Sequence, residues 1–403
     1  MVGQGPSDAR AQIGAAARVV DVAIVGGGLA GSLAAALLGR DGHRVALIDV
    51  NDVYPPDFRC EKLAGEQPRL LRELGLFDAL DGIATPIDTM HVARFGRLVE
   101  RMPSLEYGFL YQDLVNAVRR RIPSAVDRIT GRVEDIVAGD DRQRVVMASR
   151  EPIEARLVVL AAGPLDGLQQ KLGIARRTIR NGHSLTIGFD VAPAGRAAFP
   201  FPALTYYGDR LAQRIGYVSF FPLGDVMRAN LFCYRGHDAD WARAFRQNPQ
   251  AMLFDSLPGL HRLTGDIEIT SKAQVRRTDL YVSENHLRGG VVLVGDAFQA
   301  SCPATGTGTT RVMTDVGQLC RSYLPQWLGS PGMGAEKIAQ FYDDPVKRAC
   351  DRDTLQLAEY GLSFATDRGM MWHARRLRAF LRPQMRNMLR PTRAAAPDLR
   401  ASA

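Results

Sequence analysis

Short unbroken apolar runs alternate with helical apolar stripes along this chain. Val22-Ala23-Ile24-Val25 has the length and composition of a buried parallel strand. Leu29 to Gly39, rich in Ala and Leu, reads as a helix, and Val45-Ala46-Leu47-Ile48 is a second buried run closing on Asp49. The pattern predicts a strand–helix–strand unit over 20–50. A helix is expected over 68–77 with Gly75 near its C-cap, and another over 111–119, where Leu114, Val115 and Val118 form the stripe. Residues 83–107 read as extended, with a hairpin candidate over 90–97, and 126–150 as hairpin strands around Gly139-Asp140-Asp141. Arg156 to Gly163 is a further apolar strand ending in small residues.

The pattern changes at residue 183. Leu185 to Val191, Leu204 to Tyr207, Ile215 to Phe221 and Ala229 to Tyr234 are aromatic and β-branched runs separated by Gly195, Gly208-Asp209 and Gly224-Asp225. They predict an antiparallel sheet inserted as a second domain, with one helix over 239–245. Residues 290–297 return to an apolar strand. A Gly/Thr-rich loop follows, then a helix to Tyr323 stopped by Pro325, then helical sequence over 336–390. There is no internal repeat. The fold class expected is α/β, with a discontinuous Rossmann-like domain over 20–82, 108–182 and 283–345. The second domain takes 83–107 with 183–282, and C-terminal helices take 346–390. Residues 1–19 are expected to be a disordered leader and 391–403 a tail.

The glycines give the first unit its chemistry. Gly26, Gly28 and Gly31 stand at G-x-G-x-x-G spacing between a strand and a helix. The first allows a tight turn, the second lets the backbone approach a pyrophosphate, and the third lets helix and strand pack closely. The backbone N–H groups of Leu29 and Ala30 open the helix, where its dipole end is positive. Asp49 stands about 20 residues on, where a carboxylate accepts from a ribose diol. Gly295-Asp296-Ala297 ends the later apolar strand, and Pro303, Gly306 and Gly308 follow at the start of the next helix. Bare N–H groups there would favour negative charge.

Composition narrows the classes. The chain has 403 residues, enough for two compact domains, and is 46% hydrophobic and 23% charged, as globular proteins are. No apolar run approaches the ~20 residues that cross a bilayer. Residues 1–18 carry no apolar core of a secretory signal. The five cysteines are scattered without a C-x-x-C pair, which excludes a disulfide framework and a metal-ligand spacing, and a reducing cytoplasm is the expected location. The net charge of +8 comes without a nucleic-acid motif, so anionic small molecules are the expected partners and nucleic acid is not.

Together the two glycine motifs, Asp49 and Asp315 make residues 20–345 resemble the single-component aromatic hydroxylases, the p-hydroxybenzoate hydroxylase type of FAD-dependent monooxygenase. The resemblance implies FAD as cofactor, touched by Gly26, Gly28, Leu29, Ala30, Gly31, Asp49, Arg59, Gln112, Gly163, Gly295, Asp296, Pro303, Gly306 and Gly308. It implies NADPH or NADH as electron donor and O₂ as co-substrate. An aromatic or polyketide-like molecule would be hydroxylated through a flavin C4a-hydroperoxide. No catalytic residue stands out, although Arg214 and Tyr217 are candidates for substrate contact. Lys62-Leu63-Ala64-Gly65-Glu66 also resembles geranylgeranyl reductases and flavin halogenases, which keeps open a flavin reductase of an unsaturated or lipid-like substrate. The halogenase Trp-x-Trp signature is absent. Met370 to Arg382 alternates basic and apolar residues, so it offers a peripheral membrane contact or a homodimer contact.

Overall fold

The structure is a computed structural model that describes residues 18–139, 141–148, 150–163 and 166–389. The leader over 1–17 and the tail over 391–403 lie outside the described residues. Arg18 and Val19, assigned to the leader by sequence, belong to the first strand, Arg18–Val25, because they pair with Ile153 and Glu154.

Two sheets organise the molecule. The first has seven strands. Strand 127–130 lies beside 45–49, then come 18–25, 150–160, 143–147 and 133–137, and Val291–Leu293 pairs with 150–160. The pairs 18–25 with 45–49, 18–25 with 150–160, 45–49 with 127–130 and 291–293 with 150–160 are parallel. Val22 to Ile24, Leu157 to Val159 and Val291 to Leu293 are fully buried. This explains their unbroken apolar character, since parallel strands are covered on both faces. Helix Leu29–Arg40 buries every residue from Leu29 to Leu38 against this sheet and against helices Tyr111–Arg120 and Thr307–Gln318.

The second sheet has nine strands, in the order 267–269, 175–193, 226–233, 215–223, 204–207, 85–94, 97–108 and 62–63, with 274–284 pairing 175–193. Its pairings are antiparallel except one: strand 204–207 runs parallel to 85–94, pairing Leu204 with His91. One face packs on Phe245, Leu253, Leu257 and Leu260. That cover takes three helices, 239–247, 249–256 and 261–264, where sequence indicated one. Asn248 caps the second, and Pro249 sits in its first turn, where a missing N–H costs nothing.

Pro325 does not stop the helix that begins at Thr307. A π-helical turn over Leu319–Tyr323 leads into Leu324–Leu328, and Pro325 occupies the first turn of that last segment. Helices Pro345–Thr366 and Met370–Leu389 complete the described chain. Among the described residues no helix is long and apolar enough to cross a membrane.

Candidate active site

The first glycine turn is built by close contacts. Gly26 has φ +104°, and a side-chain carbon there would lie 2.4 Å from Ala162 Cα. A carbon on Gly31 would lie 1.8 Å from the Gly26 carbonyl oxygen. Both positions therefore exclude any Cβ. Gly28 differs: the nearest atom to an added carbon is Tyr54 Cε2, at 4.0 Å. Its bare backbone faces open space at the start of helix Leu29–Arg40, and no side chain caps that helix. The first N–H groups of the helix, those of Leu29 and Ala30 included, are left for a ligand.

Asp49 is already engaged. It accepts from the Gly27 N–H at 2.6 Å and from the Asn51 N–H at 2.8 Å, and lies 3.4 Å from Arg119. Arg119 is 4% exposed and donates to the carbonyls of Gly27, Asn51 and Asp52. It braces the glycine turn against the loop after Asp49. Sequence pattern passes over it, because a last-turn arginine ordinarily faces solvent.

The second motif meets the first. Gly295, with φ +61°, donates its N–H to Asp315 at 2.9 Å, and a carbon on it would lie 3.5 Å from Ala30 Cβ. Asp296 is bound by Arg59 at 3.1 Å and lies 3.4 Å from Arg311. Gly306, with φ +67°, opens helix Thr307–Gln318 without a capping side chain, and nothing lies within 4 Å of an added carbon there. Gln67 donates to the Gly306 carbonyl at 2.6 Å and to Thr310 Oγ1 at 3.1 Å, anchoring this loop to the segment after Lys62–Leu63. Behind the motif, fully buried Arg311 and Lys347 neutralise Asp315 and Asp351, with Lys347 2.9 Å from Asp315 and 3.0 Å from Asp351. Burial holds Asp351 above the usual carboxylate range.

A cavity of about 970 Å³ runs from this second helix end to the open face of the nine-stranded sheet. Leu29, Arg59, Asp296, Pro303, Gly306 and Gly308 line it. Gly26, Gly28, Ala30, Gly31, Asp49, Gly163 and Gly295 lie outside its lining. Gln112 is also outside, and its neighbour Tyr111 lines the cavity instead, because one step along the helix turns the side chain by about a quarter turn. Burial pushes the Tyr111 hydroxyl up to about 12. Tyr217 lines the cavity and donates to the Ala304 carbonyl at 2.8 Å. Arg214 does not line it and donates to the Tyr234 carbonyl.

The sheet face presents an aromatic row, Tyr207, Tyr217 and Phe232, beside a polar row, Thr205, Ser219 and Asn230, set by cross-strand pairing. Ser219 Oγ, Thr186 Oγ1, Thr278 Oγ1 and Asn230 Oδ1 have no hydrogen-bond partner among the described residues. Asn230 Nδ2 donates to Glu61, which pairs with Arg228 at 3.1 Å. Burial pushes Glu61 upward and Arg228 opposes it.

These residues suit FAD. Two uncapped helix starts are bare of side chains and offer N–H groups to anionic or electron-rich oxygens. Asp296 lines the same cavity as the second of them, half-buried, as an acceptor for hydroxyls.

Comparison with known proteins agrees with that donor set. The family model described as "FAD binding domain" matches residues 19–326. The chain is 29% identical over 359 residues to the ubiquinone hydroxylase UbiL of Rhodospirillum rubrum, covering 83% of this chain and 79% of that one. It is 27% identical over 334 residues to the aklavinone 12-hydroxylase DnrF of Streptomyces peucetius subsp. caesius, covering 72% and 64%. The crystal structure of p-nitrophenol 4-monooxygenase PnpA from Pseudomonas putida DLL-E4 shares the fold, with TM-score 0.72, 18% identity, and 92% and 97% of the two chains covered.

Proposed function

The chain belongs to the FAD-binding-domain family, and on that premise we propose that it is an FAD-dependent monooxygenase that hydroxylates an aromatic or polyketide-like small molecule. NADH or NADPH is the proposed electron donor. The observation that carries the reading is the approach of the Gly295-Asp296-Ala297 turn to the first bare helix start at Ala30, with the cavity opening beside the second bare helix start at Gly306.

The N–H groups after Gly28 take the pyrophosphate, and Gly26 and Gly31 make the turn that aims them. Asp49 holds the Gly27 N–H and keeps its remaining surface for the ribose. Asp296 accepts from the ribityl chain while Arg59 and Arg311 hold its charge. The Gly306–Gly308 backbone stabilises negative charge at the pyrimidine end of the flavin. Bound FAD supplies the reduction of O₂ and the transfer of one oxygen atom, the other leaving as water. The aromatic row excludes water from that event, and the polar row beside it, Thr205, Ser219 and Asn230, faces hydroxyl or carbonyl groups of the substrate.

The test is anaerobic titration of the purified protein, supplied with FAD, with NADH and with NADPH, followed by O₂ uptake with quinol and phenol substrates. Uptake matched mole for mole by an oxygenated product supports the reading. Reduction of the organic substrate without O₂ favours the flavin-reductase alternative, and a protein that binds no flavin removes both.

A further inference from the structure

A second cavity, of about 290 Å³, lies between strand 204–207 and the helices 345–366 and 370–389. Tyr207 lines both cavities. The second cavity contains Arg94, from the end of strand Thr85–Arg94, and Arg376. Both are buried, at 9% and 6% exposure. Arg94 Nε has no partner, and the guanidinium makes no hydrogen bond or ion pair among the described residues. Its ring contacts are 4.8 Å from the Phe95 ring centre and 5.7 Å from that of Phe364. Arg376 donates to the Phe364 and Asp367 carbonyls at 2.9 and 2.7 Å, so backbone oxygens hold it and, among the described residues, no carboxylate does.

One acid lines the cavity, Asp209, and its oxygens are committed. They accept from the Tyr206 hydroxyl at 2.7 Å, the Phe95 N–H at 3.1 Å and the Gly259 N–H at 2.9 Å. A buried cation without a counter-ion is costly, and two side by side are more so. Burial and the neighbouring Arg376 lower the Arg94 pKa from its ordinary value, and the charge of Asp209 only partly opposes them. The rest of the lining is mostly apolar, with Phe95 edge-on to Phe380 at 5.5 Å and Leu211, Ile215 and Leu377 beside them, while Arg210 and His373 stand at its exposed rim. An anion with an apolar body would relieve the charge and fill the space at once.

We propose that this cavity binds the carboxylate or phosphate end of a small amphipathic molecule, with Arg94 and Arg376 as the groups that hold it. The site is distinct from the proposed flavin site and does not rest on the monooxygenase reading. Its ligand comes either from solution or from the headgroup of an anionic lipid, and the same two arginines serve both.

The experiment titrates the full-length protein, as purified, with 4-phenylbutyrate and with its neutral amide by calorimetry. In parallel, the protein is co-sedimented with phosphatidylcholine vesicles with and without phosphatidylglycerol. The carboxylate should bind about tenfold or more tighter than the amide, a comparison that needs no variant. Arg94→Gln and Arg376→Gln should each weaken it roughly ten- to hundredfold with flavin content unchanged, and Arg94→Lys should retain part of the binding. Binding of phosphatidylglycerol vesicles that both Gln variants abolish would instead identify a lipid headgroup as the source. If the amide binds as well as the carboxylate and vesicle binding ignores the variants, the proposal fails.

Discussion

Arg59 donates to Asp296 across 3.1 Å, tying the loop that follows Asp49 to the Gly-Asp-Ala turn near residue 295. Arg59 also holds Asp57 at 2.5 Å, and Arg276 approaches the same carboxylate at 3.5 Å. Neighbouring acids keep the Arg59 guanidinium charged despite its burial. Arg59→Ala removes one of the cationic partners from each of two carboxylates beside the proposed flavin. FAD dissociation, followed by recovery of flavin fluorescence, should be about tenfold tighter in the parent protein than in this variant. Arg59→Lys, which keeps the charge without the fork, should fall between them.

Gly28 and Gly31 should separate binding from folding. Gly28 has φ −67°, which any residue adopts, and room for a carbon. Gly28→Ala should therefore keep the stability of the apoprotein within about 0.5 kcal/mol while weakening FAD binding. Gly31→Ala would drive a carbon into the Gly26 carbonyl and should cost about 3 kcal/mol or more by urea denaturation. Equal stability losses in the two variants would contradict this account of the turn.

Lys347 is fully buried between Asp315 and Asp351, and Asp315 holds the Gly295 N–H. Lys347→Met leaves buried negative charge with only Arg311 to answer it. The expected loss is roughly 3–5 kcal/mol, read from the urea midpoint at constant m-value.

His183 is 2% exposed, neither ring nitrogen has a partner among the described residues, and burial pushes its pKa down to about 4. The unfolded imidazole titrates near ~6.5, so between these values the unfolded chain binds more protons. Stability is complete above that window and is lost as pH falls through it, by on the order of 2–3 kcal/mol. From about pH 7 down to about pH 4 the unfolding free energy of the parent should fall relative to that of His183→Phe, which lacks this titration, by on the order of 2–3 kcal/mol. Phe preserves the edge contact with Tyr234, whose ring centre is 5.5 Å away.

Ser219 offers a cleaner probe of substrate contact than Asn230, whose amide also supports Glu61. Ser219→Ala should raise the substrate KM several-fold, up to about tenfold, and leave the flavin spectrum unchanged. A change in kcat alone would mean that the hydroxyl acts later than binding.

Much of this protein is local physics and was legible in its sequence. Gly26 and Gly31 are glycine because a Cβ would strike Ala162 and Gly26 themselves, and the apolar runs at 22–25, 157–160 and 291–293 are the strands covered on both faces. The parallel pairing of 204–207 with 85–94 was not legible, since nothing in either strand names a partner far away in the chain. That Tyr111 rather than Gln112 lines the large cavity was not legible either, because helix phase relative to a cavity depends on how the helix docks. Nothing in the sequence singles out Arg119, Lys347, Arg94 or Arg376, because basic residues ordinarily stay in water. Only tertiary packing withdraws them from solvent, and their charges then become costly enough to demand the partners that define the sites.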